Sequence, residues 1–122
     1  MTPSTLVAVI DDDESVRESL PDLLRELGYT ARAFASAEEF LASGFIQEAR
    51  CLLLDIAMPG MSGPELHQEL IRQGHTTPVI FITALTGRSV PTQPLQGHVA
   101  ILFKPFSEHE LRAALASALP GT

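Results

Sequence analysis

Four runs of apolar residues, Leu6–Ile10, Cys51–Leu54, Pro78–Ile82 and 99–103, contain no polar alternation. A strand that alternates faces water on one side, whereas an unbroken run predicts burial on both faces, as in parallel sheets. A fifth segment, Tyr29–Phe34, is short and mixed in character, which suits an edge strand. Between these runs the spacing changes to that of helices. Val16, Leu20, Leu23, Leu24 and Leu27 fall on one helical face, with Gly28 as the stop. Pro21 lies inside that pattern and predicts a kink or local irregularity.

Three Ser-x-x-Glu signatures mark further helix starts. Ser36–Glu39 opens a helix through Phe40 and Leu41 to Gly44. Ser62–Glu65 opens one with Leu66, Leu70 and Ile71 as its apolar stripe, ending at Gly74. Ser107–Glu110 opens the last, with Leu111, Ala114, Leu115, Ala118 and Leu119 on one face. Strands alternating with helices predict an α/β fold, a doubly wound parallel sheet covered on both sides.

The ends of the apolar runs carry the chemistry. Leu6–Ile10 ends in Asp11, Asp12, Asp13 and Glu14. The Leu52–Leu54 run delivers Asp55 before breaking at Met58-Pro59-Gly60, and the last two runs end on Thr83 and Lys104. In open α/β sheets ligands bind outside the carboxyl ends of the strands, so these side chains are expected to converge on one rim. They are also the parts that phosphoryl transfer requires. A carboxylate can attack phosphorus, a carboxylate pair can hold a hard divalent cation such as magnesium, and a hydroxyl and an ammonium can bind phosphoryl oxygens. Simpler roles exist for some of these residues, since Asp13 and Glu14 also suit a helix amino end.

Composition narrows the field. At 122 residues the chain suits one domain spanning 1–122, and with 45% apolar and 19% charged residues neither disorder nor a membrane protein is expected. A net charge of −7 argues against a nucleic-acid surface. No apolar run approaches the roughly 20 residues needed to cross a bilayer. The start, Met-Thr-Pro-Ser-Thr, lacks a secretory pattern, so the cytoplasm is expected. The lone Cys51 suits a packed small hydrophobe. His67, His75, His98 and His109 have no ligand spacing and are expected at the surface. Met58 and Met61 are expected to pack around the turn after Asp55.

Four segments, Val-Ile-Asp-Asp-Asp, Leu-Leu-Asp-Ile-Ala-Met-Pro-Gly-Met-Ser-Gly, Ile-Thr-Ala and Phe-Lys-Pro-Phe, in this order, resemble the receiver domain of two-component response regulators across essentially the whole chain. The resemblance implies a flavodoxin-like five-stranded sheet of order 2-1-3-4-5. It implies that Asp55 is the phosphoacceptor and that Thr83 and Lys104 contact the phosphoryl group. Asp11 and Asp12 would be the acid pair, with Asp12 the more direct magnesium ligand and the carbonyl of Ala57 a further one. Ala84 would be the small residue that leaves the phosphate accessible. Implied partners are a sensor histidine kinase or histidine phosphotransfer protein, an output domain or target protein, and a second copy of the chain, with no nucleic acid or membrane bound by this domain. The implied role is that of a signalling domain which assists its own phosphorylation and dephosphorylation, not that of an enzyme.

Two departures stand out. Ile101 occupies the position, three before the strand-end lysine, where the family usually has an aromatic residue. The segment between Thr83 and Lys104 carries Gly87, Pro91, Pro94 and Gly97, so the usual helix there is expected to be shortened or missing. Two other readings compete. One is a receiver-like interaction module that is not regulated by phosphorylation. The other is a phosphatase of the haloacid dehalogenase type using Asp11 in the Asp-x-Asp of Asp11–Asp13, which would leave Asp55 unexplained.

Overall fold

The computed structural model describes residues 5–84 and 98–119, the side chains of 98 and 99 excepted. Five parallel strands, β1 (Leu6–Ile10), β2 (Thr30–Phe34), β3 (Cys51–Asp55), β4 (Val79–Thr83) and β5 (His98–Phe103), form one sheet of order β2-β1-β3-β4-β5. The helices among the described residues are α1 (Glu14–Glu26), α2 (Ala37–Ser43), α3 (Gly63–Arg72) and α4 (Glu108–Ala118), with a 3-10 turn at Phe45–Gln47. The mixed strand β2 is an edge, as its pattern predicts.

The runs of β1, β3 and β4 are buried because the sheet is covered on both faces. The run of β5 is not: as the other edge strand it leaves Ala100 and Ile101 half-buried and Phe103 47% exposed. Every residue of β3 is buried, and successive side chains enter opposite layers. Leu52 and Leu54 join Ile10, Phe40, Leu66 and Phe81 on one side. Cys51 and Leu53 join Val9, Leu24, Ile80, Leu111 and Leu115 on the other. The first layer receives α2 and α3, and the second receives α1 and α4. Cys51 is packed in this second layer, where burial pushes its thiol up to about 12.

Local signals place the helix ends. Ser62 and Glu65 form a complete capping box, as do Ser107 and Glu110. The signature at Ser36 is only half realised: the Ser36 hydroxyl accepts from the Glu39 N–H at 3.0 Å, but Glu39 Oε2 accepts from Ala35 N–H, not from that of Ser36. Helix α1 runs from Glu14 to Glu26 through Pro21, which is buried with Leu20 and Leu24 on the core face; tertiary packing holds the helix where the backbone bond is lost.

One expectation is corrected on α3. His67 is 5% exposed and stacks edge-on against Phe81, whereas Ile71 is 43% exposed. The buried face is Gly63, Leu66, His67 and Leu70, and each residue advances about 100° around a helix. Ile71, four residues on, falls about 40° beyond His67, at the solvent edge of that face. The expected loss of a helix between β4 and β5 concerns residues 85–97, which lie outside the described residues.

Candidate functional site

Register assembles the site. Ile10 pairs with Leu54, so the next residues along, Asp11 and Asp55, emerge side by side. Asp55 pairs with Ile82, Thr83 pairs with Phe103, and the N–H of Lys104 donates to the Thr83 carbonyl at 2.7 Å. The four strand ends β1, β3, β4 and β5 thus present Asp11, Asp55, Thr83 and Lys104 along one rim. Asp11, Asp55 and Thr83 are buried, while Asp12 is exposed at the mouth.

The acidic part of this rim is tight. Asp11, Asp12 and Asp55 each offer an oxygen within 4.8 Å of the others'. Asp11 Oδ1 accepts from the Asp13 N–H at 2.9 Å, and Asp11 Oδ2 forms an ion pair with Lys104 Nζ at 2.8 Å. Among the described residues no amide or hydroxyl hydrogen-bonds that second oxygen. Arg17 steadies the same turn by donating to the Asp11 carbonyl at 3.1 Å.

Burial of Asp55 and the neighbouring Asp11 charge push its carboxyl up to about 7, against the opposing pull of Lys104; Asp12 adds to the rise. For Lys104, burial works to lower the ammonium pKa, but Asp11, Asp55 and Asp13 together hold it above its ordinary value. The lysine therefore stays charged and neutralises part of the carboxylate cluster. An all-oxygen donor set with excess negative charge and a buried oxygen lacking amide or hydroxyl donors suits a hard divalent cation.

Asp13 takes no part in this cluster. Its side chain caps α1 by accepting from the Ser15 N–H at 2.9 Å and the Ser15 hydroxyl at 2.8 Å, which lowers its carboxyl pKa. The second acid of the Asp-x-Asp reading is thus occupied at the helix start. Ala57 and Ala84 are both exposed next to the rim, and Met58 is buried in the layer of Phe40 and Leu66. Ile101 is half-buried against the same layer.

Sequence reasoning overlooked Gly63. The start of α3 approaches the strand end so closely that a Cβ there would overlap the Asp55 carbonyl oxygen, and its N–H donates to the Ile56 carbonyl at 3.0 Å. A glycine at the first position of a helix has no propensity advantage, and that was the available signal.

A doubly wound sheet with an acidic pocket and a paired lysine at its carboxyl rim defines the class of protein. The sequence matches the response regulator receiver domain over residues 7–116. The chain is 39% identical over 114 residues to Nodulation protein W of Bradyrhizobium diazoefficiens, covering 93% of this chain and 50% of that protein. It is 37% identical over 120 residues to the transcriptional regulatory protein FixJ of Azorhizobium caulinodans, covering 98% and 57%. Among solved structures, the response regulator StyR superposes with a TM-score of 0.86 at 38% identity, over 96% of this chain and 60% of that one. Thermotoga maritima TrrA, solved in complex with Mg2+-BeF, gives 0.82 at 28% identity, over 94% and 99%. The chain belongs to the response regulator receiver family, a family of signalling domains, and spans about half the length of the curated relatives it matches.

Proposed function

We propose that this domain accepts a phosphoryl group on Asp55 from a sensor histidine kinase or a histidine phosphotransfer protein, and switches an output domain or target protein. The observation that carries the reading is the pairing of Asp55 with the Asp11–Lys104 ion pair at the carboxyl rim. Asp11, Asp12, Asp55 and the Ala57 carbonyl would hold magnesium. When bound, the cation supplies positive charge to the phosphoryl oxygens and to the carboxylates around it. A relative of the same fold crystallised with Mg2+-BeF supports this choice of metal.

The residues then divide the work. An Asp55 carboxylate oxygen attacks the phosphorus of phosphohistidine. The P–N bond breaks with its electron pair going to the imidazole, and an acyl phosphate is left on Asp55. Only the ionised carboxylate is a nucleophile, and a pKa pushed up to about 7 leaves the metal-free Asp55 partly protonated at neutrality. The Thr83 hydroxyl and the Lys104 ammonium would contact the transferred oxygens, so that Lys104 exchanges part of its pairing with Asp11 for the new charge. The same groups would assist hydrolysis of the acyl phosphate.

A groove of about 420 Å³, lined by Val16, Leu20, Leu23, Lys104 and Phe106 among others, meets the site at Lys104 and would suit a docked phosphohistidine-bearing partner. Residues 1–122 are read as one receiver domain, with a second copy of the chain as a further partner. No described helix is long and apolar enough to cross a membrane, and a cytoplasmic location belongs to the same proposal.

Intact-mass spectrometry after treatment with acetyl phosphate and magnesium tests the acceptor. One added phosphoryl group is expected in the wild type and none in Asp55→Asn. Labelling that persists in the variant would move the acceptor to Asp11 or Asp12.

A further inference from the structure

Glu38 ties α2 to the segment that follows Asp55. It is exposed in the first turn of α2, and its Oε2 accepts a hydrogen bond from the Met61 N–H at 3.1 Å, across 23 positions of sequence. The same oxygen lies 2.8 Å from where a Cβ on Gly60 would stand. Gly60 has a φ of +76°, so glycine permits both the left-handed turn and the close approach of the carboxylate.

An acidic residue in a first helical turn ordinarily serves its own helix. Glu39 does so here, bonding the Ala35 N–H four residues away. Glu38 instead reaches another element. The stretch from Ile56 to Gly63 is held at its ends by Ile56 N–H on the Ile82 carbonyl and Gly63 N–H on the Ile56 carbonyl, both at 3.0 Å, and by Ser62 N–H on Glu65 Oε1 at 2.9 Å. Within 57–61 it is held by Met61 N–H on Glu38. Ala57 lies between them in sequence, and its backbone carbonyl is the ligand assigned above that no side chain can hold in place.

We propose that Glu38 is a positioning residue for the metal site. Its hydrogen bond to Met61 sets the path of residues 57–61, and with it the Ala57 carbonyl relative to Asp11, Asp12 and Asp55. The inference rests on the metal site proposed above. A carboxylate bonded to a main-chain amide is a charge-assisted contact, stronger than a neutral one. Groups that orient ligands without touching the metal commonly affect its affinity by one to two orders of magnitude.

The test compares magnesium dissociation constants of the wild type, Glu38→Ala and Glu38→Gln by titration calorimetry at fixed ionic strength. Amide exchange at Gly60 and Met61 and melting in chelator are followed in parallel. Both substitutions remove the charge, but only glutamine keeps an acceptor oxygen. Glu38→Ala is expected to weaken magnesium about tenfold and to speed exchange at Met61, while Glu38→Gln, which keeps a neutral acceptor, is expected to weaken it clearly less. Equal weakening in both variants would assign the effect to long-range charge and overturn the proposal. A lower melting temperature in Glu38→Ala with an unchanged magnesium constant would make the contact purely structural, also overturning it. A wild type that binds no magnesium would remove the metal site itself, a result read before any variant is made, and this inference would fall with it.

Discussion

The α-carbon of Gly63 sits so close to the Asp55 carbonyl oxygen that no side chain fits between them. Helix α3 begins on the backbone of the residue assigned as phosphoacceptor, so a change in one displaces the other. Gly63→Ala is expected to destabilise the domain by about 2 kcal/mol, the range for forcing a methyl group into a packed site. Urea unfolding checks it. An unchanged midpoint would mean that α3 can slide away from Asp55 without loss.

Asp55 makes the stability of the metal-free protein depend on pH. Its folded pKa of about 7 lies well above the ordinary carboxylate value of 3.8. A carboxyl raised on folding contributes stability that is fully present below the unfolded pKa and is lost as pH rises through the folded one. In chelator the melting temperature should therefore fall between about pH 4 and pH 7, and Asp55→Asn should flatten that slope. At pH 7.5 the variant is expected to melt above the wild type. A variant with the same slope would show that Asp55 does not titrate in this window.

Magnesium should offset the same repulsion. A ligand present at ten times its dissociation constant stabilises the native state by about 1.4 kcal/mol. The gain is expected to shrink in Asp12→Asn and in Asp55→Asn, each of which removes one of the clustered charges. Thermal shift across a magnesium titration gives the comparison, and an undiminished gain in both variants would place the ion elsewhere.

Lys104→Met leaves the fully buried Asp11 without its counter-charge. Removing one partner of a buried pair costs about 3 kcal/mol or more, and here the Lys104 side chain is 17% exposed, which moderates the loss. In chelator a loss nearer 2 kcal/mol is expected. It should be smaller with magnesium, since a cation on Asp11 takes over the lysine's role. Equilibrium unfolding in both conditions checks this, and an equal loss in each would argue that magnesium does not neutralise Asp11.

Caps separate local from tertiary stability. Ser62→Ala removes the acceptor of the Glu65 N–H and breaks the complete box that opens α3, at about 1 kcal/mol. At Ser36 the hydroxyl bond is present but the return bond goes to Ala35, so Glu39→Ala should free the Ala35 N–H and leave the Ser36 cap intact. Amide exchange at Ala35 and Glu39 distinguishes the two outcomes.

What the sequence by itself determined is whatever depends on neighbours along the chain. Unbroken apolar runs marked β3 and β4 as buried on both faces, Ser-x-x-Glu marked three helix starts, and charged or polar residues closing the runs marked Asp11, Asp55, Thr83 and Lys104. The strand order 2-1-3-4-5 came from resemblance, not from periodicity, because pairing between strands joins residues tens of positions apart. Only the tertiary structure decided which of the acids is enclosed. Asp11 is buried against Lys104, Asp12 faces outward, and Asp13 turns back to cap α1, although the three are adjacent and chemically identical. It also decided that His67, not Ile71, lies on the core face of α3, since the face is set by where the helix meets Phe81. Glu38 shows the same limit. Its neighbour Glu39 has the same side chain, and what separates them is the distant Met61 N–H, which no local pattern encodes.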